Sequence, residues 1–336
     1  MIPIATRAIE PHTWQQQLSD AVTDPAELLH LLELEPHWLA PAERAAKLFA
    51  LRVPRGFIAR MQRGNPHDPL LRQVLPLAEE HISTEGFSTD PLAEAASNPS
   101  AGVIHKYHGR VLLIAAGACA INCRYCFRRH FPYADNRLSQ NDWQAALDYI
   151  TARPDIHEVI LSGGDPLVNS DARLDLLISA LEAIPHVHTL RIHSRLAIVL
   201  PARITSSLCA RLSRSRLRCV LVSHANHPQE IDASVALAFE ALRRAGVTLL
   251  NQSVLLRGIN DDAEILIELN LRLFNHGVLP YYLFQLDKVQ GAAHFLVSDQ
   301  DAAALMRTLQ RRLPGYLVPR LSREQAGQPS KTWLTF

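Results

Sequence analysis

From about residue 110 onward, short apolar runs alternate with stretches whose apolar positions recur every three or four residues. The short runs, Val111–Ala116, Glu158–Ser162, Thr189–His193, Cys219–Ser223, Thr248–Gln252 and Tyr281–Gln285, predict six strands. Between them the pattern is helical. Leu174, Leu177, Ile178, Leu181 and Ile184 follow a period of about 3.6 residues, which Pro185 ends. Ser139-x-x-Asp142 and Ser298-x-x-Asp301 resemble capping boxes with Asp in the acidic place, and Gly246 and Gly277 sit where helices stop on a left-handed residue. Six strand–helix units in series imply a parallel sheet with right-handed crossovers. Closing a barrel takes about eight, so the pattern fits either an open partial barrel or a doubly wound sheet. In both, functional residues gather at the C-terminal ends of the strands.

Before residue 100 the chain reads as helical and interrupted by proline. Asp24-Pro25 predicts a cap and first turn, with the apolar run Leu28 to Leu34 behind it, and a further helix is expected to open at Pro41. The stretch Ser97-Asn98-Pro99-Ser100-Ala101-Gly102 reads as a linker. The expected organisation is a helical region over 1–100, a core over 101–315 and a short C-terminal segment over 316–336.

Composition narrows the class. The formal net charge is +1 with 20% charged residues, so no basic surplus points to nucleic acid as the main partner. No apolar run has membrane-spanning length, and the N-terminal residues lack a secretory layout, so a cytoplasmic location is expected. Of the five cysteines, Cys119, Cys123 and Cys126 are clustered and Cys209 and Cys219 are remote. That is a poor disulfide framework and a plausible metal site. The remote pair, in a helical and a strand pattern, read as buried small apolar residues.

The cluster Cys119-Ala-Ile-Asn-Cys123-Arg-Tyr-Cys126 follows directly on the first of the six strands. Three thiolates can hold three irons of a [4Fe–4S] cluster and leave the fourth iron open. They can equally form a zinc site with His130 as fourth ligand. Spacing alone leaves both open. Ser162-Gly163-Gly164-Asp165 ends the next strand, where two glycines let backbone approach a ligand and expose N–H groups to it; the plainer reading is a tight turn. In Lys106-Tyr107-His108-Gly109-Arg110, Lys106 and Arg110 can grip a phosphate and Tyr107 can lie against a ring; on the residues alone, an ordinary solvated basic segment is the favoured reading.

The C-x3-C-x2-C motif resembles that of the radical S-adenosylmethionine superfamily. Together with Cys126-Phe127-Arg128-Arg129-His130-Phe131, Leu161-Ser162-Gly163-Gly164-Asp165-Pro166-Leu167, His224-Ala225-Asn226-His227-Pro228 and Asn251-Gln252-Ser253-Val254-Leu255-Leu256-Arg257-Gly258, it resembles the lysine 2,3-aminomutase family, in particular the short branch that supplies elongation factor P modification. The resemblance runs from about Val103 to Lys331. It implies a partial (β/α)6 TIM-like barrel with an N-terminal helical extension and a short C-terminal segment. It also implies three cofactors: a [4Fe–4S] cluster on Cys119, Cys123 and Cys126, S-adenosylmethionine, and pyridoxal phosphate. By the same resemblance, Ser162, Gly163, Gly164, Asp165, His224 and Gln252 hold S-adenosylmethionine. Lys106, Tyr107 and Arg110 hold pyridoxal phosphate, which is carried on Lys331. Arg128 receives the substrate carboxylate, and Asp287 and Glu324 receive the ε-ammonium of L-lysine. The implied reaction moves the α-amino group of lysine to the β carbon, by a radical that takes and returns hydrogen. A different amino acid, such as glutamate, is the alternative substrate; a zinc-stabilised module without catalysis is the alternative of another class. The implied partners are an electron donor such as flavodoxin and a ligase resembling lysyl-tRNA synthetase, which attaches (R)-β-lysine to elongation factor P. The chain departs from the family pattern at three places: Lys106 stands for arginine, Glu324 for aspartate, and most of a glycine run before Lys331 is missing. Asp262 stands where the larger members' zinc site needs cysteine, so no zinc is expected.

Overall fold

The computed structural model describes residues 13–100, 102–132 and 140–335. Among these residues nine strands form one sheet in simple sequence order: β1 (Val103–Tyr107), β2 (Arg110–Ala116), β3 (Glu158–Gly163), β4 (Thr189–His193), β5 (Arg218–His224), β6 (Thr248–Val254), β7 (Leu279–Phe284), β8 (Arg320–Arg323) and β9 (Thr332–Trp333). β2 to β8 pair in parallel, while β1 and β9 flank them antiparallel. The sheet is open, with β1 and β9 at its two edges. This is a partial barrel. All six expected strands are present. The segment expected only to precede the first strand is itself β1, turned back on β2 through Gly109 (φ +74°), a conformation that favours glycine. Strands β8 and β9 have no alternating apolar pattern long enough to read from sequence.

Among the described residues, four short helices come first: α1 (Trp14–Ser19), α2 (Pro25–Leu31), α3 (Leu39–Ala46) and α4 (Arg55–Ile58). The sheet is then interleaved with α5 (Gln140–Thr151), α6 (Asp171–Glu182), α7 (Leu196–Val199), α8 (Ser206–Ser213), α9 (Ala233–Arg244), α10 (Ala263–Asn275) and α11 (Asp299–Arg312). The Asp24 side chain caps α2 as read, but α3 opens at Leu39, two residues before Pro41, because a 3₁₀ turn at Pro36–Trp38 leads into it. Gly246 and Gly277 take positive φ just past α9 and α10. Ser298 caps α11 through its hydroxyl, and Asp301 accepts that hydroxyl's proton instead of the Ser298 backbone N–H. The Ser139 cap lies outside the described residues. Among the described residues, no helix is long and apolar enough to cross a membrane.

Buried side chains from Trp14 to Leu75 share one hydrophobic cluster with those of β1 to β6 and α5 to α10. The N-terminal helices therefore pack on the barrel core itself. Cys219 is buried there, whereas Cys209 is only partly covered. Asp262 is the N-cap of α10, accepting from the N–H groups of Glu264 and Ile265.

Candidate active site

The parallel strands end around one cavity of about 880 Å³, a size suited to cofactors and small ligands. Every site residue implied by the family resemblance lines it: Lys106, Tyr107, Arg110, Cys119, Cys123, Cys126, Arg128, Ser162, Gly163, Gly164, Asp165, His224, Gln252, Asp287, Glu324 and Lys331. Strand register explains several of these meetings. His224 and Gln252 are direct neighbours across β5 and β6, so both project from the same face.

The cysteine loop leaves β2 at Ala116 and is held from behind by the N-terminal region. Asn122 N–H donates to Arg52 O at 2.9 Å, and Arg124 N–H donates to Gln73 O at 2.9 Å. The Arg124 guanidinium is wholly buried and donates through Nε to Glu80 Oε1 at 2.8 Å and through Nη1 to Phe49 O at 2.7 Å. Arg129 donates to the same Glu80 at 2.6 Å. The thiols face the cavity. Burial pushes the Cys119 thiol well up and the Cys126 thiol up to about 11, and the neighbouring cysteines add to both shifts. Metal loading at this loop therefore displaces protons. Among the described residues, no three His, Cys, Asp or Glu side chains converge on a single ion. A cluster bound by one thiolate per iron does not ask them to. His130, the candidate fourth ligand of a zinc site, instead faces Gln290 O at 3.4 Å.

The Gly163-Gly164-Asp165 turn differs from its sequence reading. The Gly164 and Asp165 N–H groups donate inward, to Ala116 O at 2.8 Å and Ala118 O at 2.9 Å, and so are not presented to a ligand. A Cβ on Gly164 would lie 2.2 Å from Ala118 O and one on Gly163 2.4 Å from Ala116 O. These glycines are needed for close approach to the base of the cysteine loop. The buried Asp165 carboxylate is likewise taken up, accepting from Ser194 Oγ at 2.8 Å, Arg195 N–H at 2.7 Å and Leu167 N–H at 3.0 Å. Its carboxyl is raised to about 6 by burial, with these hydrogen bonds pulling the other way.

Asp165 thereby fixes Arg195, a residue the sequence reading missed. Arg195 Nη1 lies 2.7 Å from Cys123 Sγ, and Nη2 reaches Gln73 Oε1 at 2.6 Å and Glu230 Oε2 at 2.9 Å. Its place just past the end of β4 was the available signal. Asn226 and Tyr125 close the same net through Gln73. His227 turns away and caps a turn by accepting from Gln229 N–H. His224 stays on the wall, and burial pushes its imidazole down to about 3, so it is neutral.

The opposite end is ionic and aromatic. Glu324 lies 3.0 Å from both Lys106 Nζ and Lys331 Nζ. Burial opposes ionisation of Glu324, but Lys331 and Lys106 outweigh it and hold its carboxyl at about 2. Burial and the Glu324 charge raise the Asp287 carboxyl to about 7. The Lys331 ammonium lies 5.1 Å from the Tyr107 ring centre and 5.7 Å from that of Phe284, and Arg110 covers Tyr107 at 4.8 Å. Arg128 donates to Ser162 Oγ at 3.1 Å and is paired with Glu94, which no sequence pattern marked. Among the described residues, His193 Nε2, buried on this wall, has no hydrogen-bond partner, and such an atom calls for an occupant.

Residues 113–220 match the model of the radical SAM superfamily. Over 320 residues the chain is 58% identical to a protein of Escherichia coli (strain K12) named L-lysine 2,3-aminomutase, covering 95% of this chain and 93% of that one. The chain belongs to the lysine 2,3-aminomutase family. A relative of the same name from Haemophilus influenzae is 53% identical over 96% of both chains. Another from Clostridium subterminale is 34% identical over 95% of this chain and 77% of its own length. A lysine 2,3-aminomutase of the radical SAM superfamily is an isomerase that uses a [4Fe–4S] cluster and S-adenosylmethionine, and the three cavity-facing thiols on one braced loop suit the cluster.

Proposed function

We propose that this chain converts L-lysine to (R)-β-lysine with pyridoxal phosphate carried on Lys331. The observation that supports this reading most strongly is the single cavity with the Cys119–Cys126 thiols at one end and the Lys331 amine, flanked by acids, at the other. When bound, the cluster and S-adenosylmethionine supply one-electron hydrogen abstraction, and pyridoxal phosphate supplies a carrier for the migrating nitrogen. The chain's own residues do the rest. Tyr107 and Phe284 flank Lys331 with aromatic faces, while Lys106 and Arg110 offer positive charge for a phosphate. Arg128 offers a planar fork to the substrate carboxylate. Asp287 and Glu324 receive the ε-ammonium, Glu324 becoming available once the Lys331 amine is engaged elsewhere. Ser162, His224 and Gln252, on the same wall, would hold S-adenosylmethionine beside a turn shaped by Gly163, Gly164 and Asp165. Two acids at the far end favour a cationic side chain over glutamate.

The biological role we propose is supply of β-lysine to a ligase resembling lysyl-tRNA synthetase that modifies elongation factor P, with a flavodoxin-type protein as electron donor. Resemblance to the short branch of the family supports it. The test is anaerobic incubation with L-lysine, S-adenosylmethionine, pyridoxal phosphate and a reductant, followed by chiral analysis. The expected product is (R)-β-lysine; turnover of glutamate with none of lysine would overturn the assignment.

A further inference from the structure

The charges at the Lys331 end form a continuous series: Lys331–Glu324–Lys106–Glu94–Arg128. Its last link is a fork against a carboxylate. Arg128 donates through Nε to Glu94 Oε2 at 2.7 Å and through Nη2 to Glu94 Oε1 at 2.9 Å. Its Nη1 is turned to Ser162 Oγ at 3.1 Å and Gly163 O at 3.3 Å. Glu94 is 5% exposed and Arg128 7%, and both line the cavity. Burial pushes the Glu94 carboxyl up, but Arg128 and Lys106 more than offset this, and it is ionised. The bidentate edge of the guanidinium, the one best shaped for an amino acid's carboxylate, is thus filled by a carboxylate of this chain. Two carboxylates on one buried edge repel each other.

Glu94 is mounted in a way that suits release. It opens a 3₁₀ turn, Glu94–Ser97, and the preceding Ala93 sits at φ +48°, a left-handed conformation that strains alanine. Such strain persists only where surrounding contacts hold it, and the Glu94–Arg128 fork is one of those contacts.

We propose that Glu94 is a displaceable stand-in for the substrate carboxylate: it neutralises Arg128 in the empty cavity and is exchanged for the α-carboxylate when an amino acid docks. The inference rests on reading Arg128 as the carboxylate site. A Glu94 that merely braced Arg128 would stay in place on binding, and its removal would weaken the substrate. Removal of a stand-in strengthens it. The cost of exchange falls only on ligands that carry a carboxylate.

The experiment compares L-lysine with cadaverine, which lacks the carboxylate, in calorimetric titrations of protein loaded with cluster and pyridoxal phosphate and kept without reductant. In Glu94→Gln, lysine affinity relative to cadaverine should rise about tenfold, the scale of one charged hydrogen bond. An unchanged or lower ratio overturns the proposal. Arg128→Gln should remove the preference for lysine over cadaverine; if that preference survives, the carboxylate reading of Arg128 fails first. Because either variant can fold poorly, the unaltered protein supplies a further readout. Backbone amides of residues 93–98 should exchange hydrogen faster with lysine bound than with cadaverine bound, and equal exchange also overturns the proposal.

Discussion

At the cysteine end of the cavity the bracing charges are sealed: the Arg124 and Glu80 side chains are both 0% exposed. At the Lys331 end, Lys106, Glu324 and Lys331 keep 14%, 19% and 24% of their side-chain surface, and they border the open cavity. The first set is packed behind the wall and points away from any ligand, whereas the second forms the wall. Buried pairs of the first kind hold a shape, because removing one partner strands the other in low dielectric. The second kind holds a place, with each cation answered by an acid of the chain until something else answers it. One end is built to be rigid before loading, the other to exchange partners during it.

The comparison breaks most visibly if the two ends fail to lose function separately. Cys123→Ala should abolish iron binding and S-adenosylmethionine cleavage while leaving Lys331 open to borohydride trapping of pyridoxal phosphate. Lys331→Ala should lose the trapped label and lysine isomerisation yet keep its iron. A label on another lysine, or joint loss of both cofactors in either variant, would contradict independent ends. Next in size is Glu80→Gln, which strands Arg124 and Arg129. It should lower unfolding stability by about 3–5 kcal/mol in denaturant titrations and reduce iron content.

The exchangeable end should respond to pH. Asp287 has its carboxyl raised to about 7, chiefly by burial and then by Glu324. A raised carboxyl favours the protonated folded state, so its contribution to stability is full below the ordinary carboxyl range and is lost as pH rises through about 7. Binding of an ε-ammonium runs the other way. Lysine affinity should climb as pH passes upward through that value, and Asp287→Asn should flatten the climb and weaken lysine by roughly 10- to 100-fold. A profile in Asp287→Asn identical to that of the parent would show that another group titrates. The smallest effect serves as a control outside both ends: Asp262→Ala removes the α10 cap, which should cost about 0.5–2 kcal/mol of stability and leave both cofactors bound.

How much could be read beforehand follows the same division. The six core strands were legible because each carries buried apolar residues, contiguous in β2 and β3 and alternating with polar ones in β4. Strands β1, β8 and β9 lie at or beside the edges, are short and mixed, and had no such pattern. The residues at the strand ends were legible through position and resemblance. Glu94 was not: it sits in an irregular segment just before the Ser97–Gly102 stretch that reads as a linker, and only long-range packing carries it to Arg128. Arg195 stood in plain view past β4, but a single arginine on a loop is a solvated residue unless Asp165, Gln73 and Glu230 are known to surround it. The Gly163-Gly164 turn was legible as a close approach; that its partner is the cysteine loop could not be told from the two glycines alone.

Gln73 joins segments that are far apart in the order of synthesis. Its backbone oxygen holds Arg124, its side-chain oxygen takes Arg195 and Asn226, and its amide donates to Glu230. Translation delivers the three clustered cysteines roughly a hundred residues before Glu230. At about 5–20 residues per second, on the order of 5–20 s separate the synthesis of those thiols from that of the last member of the net. During that interval the net behind the loop is incomplete. A cluster placed on the loop that early would meet an Arg195 not yet held by Glu230.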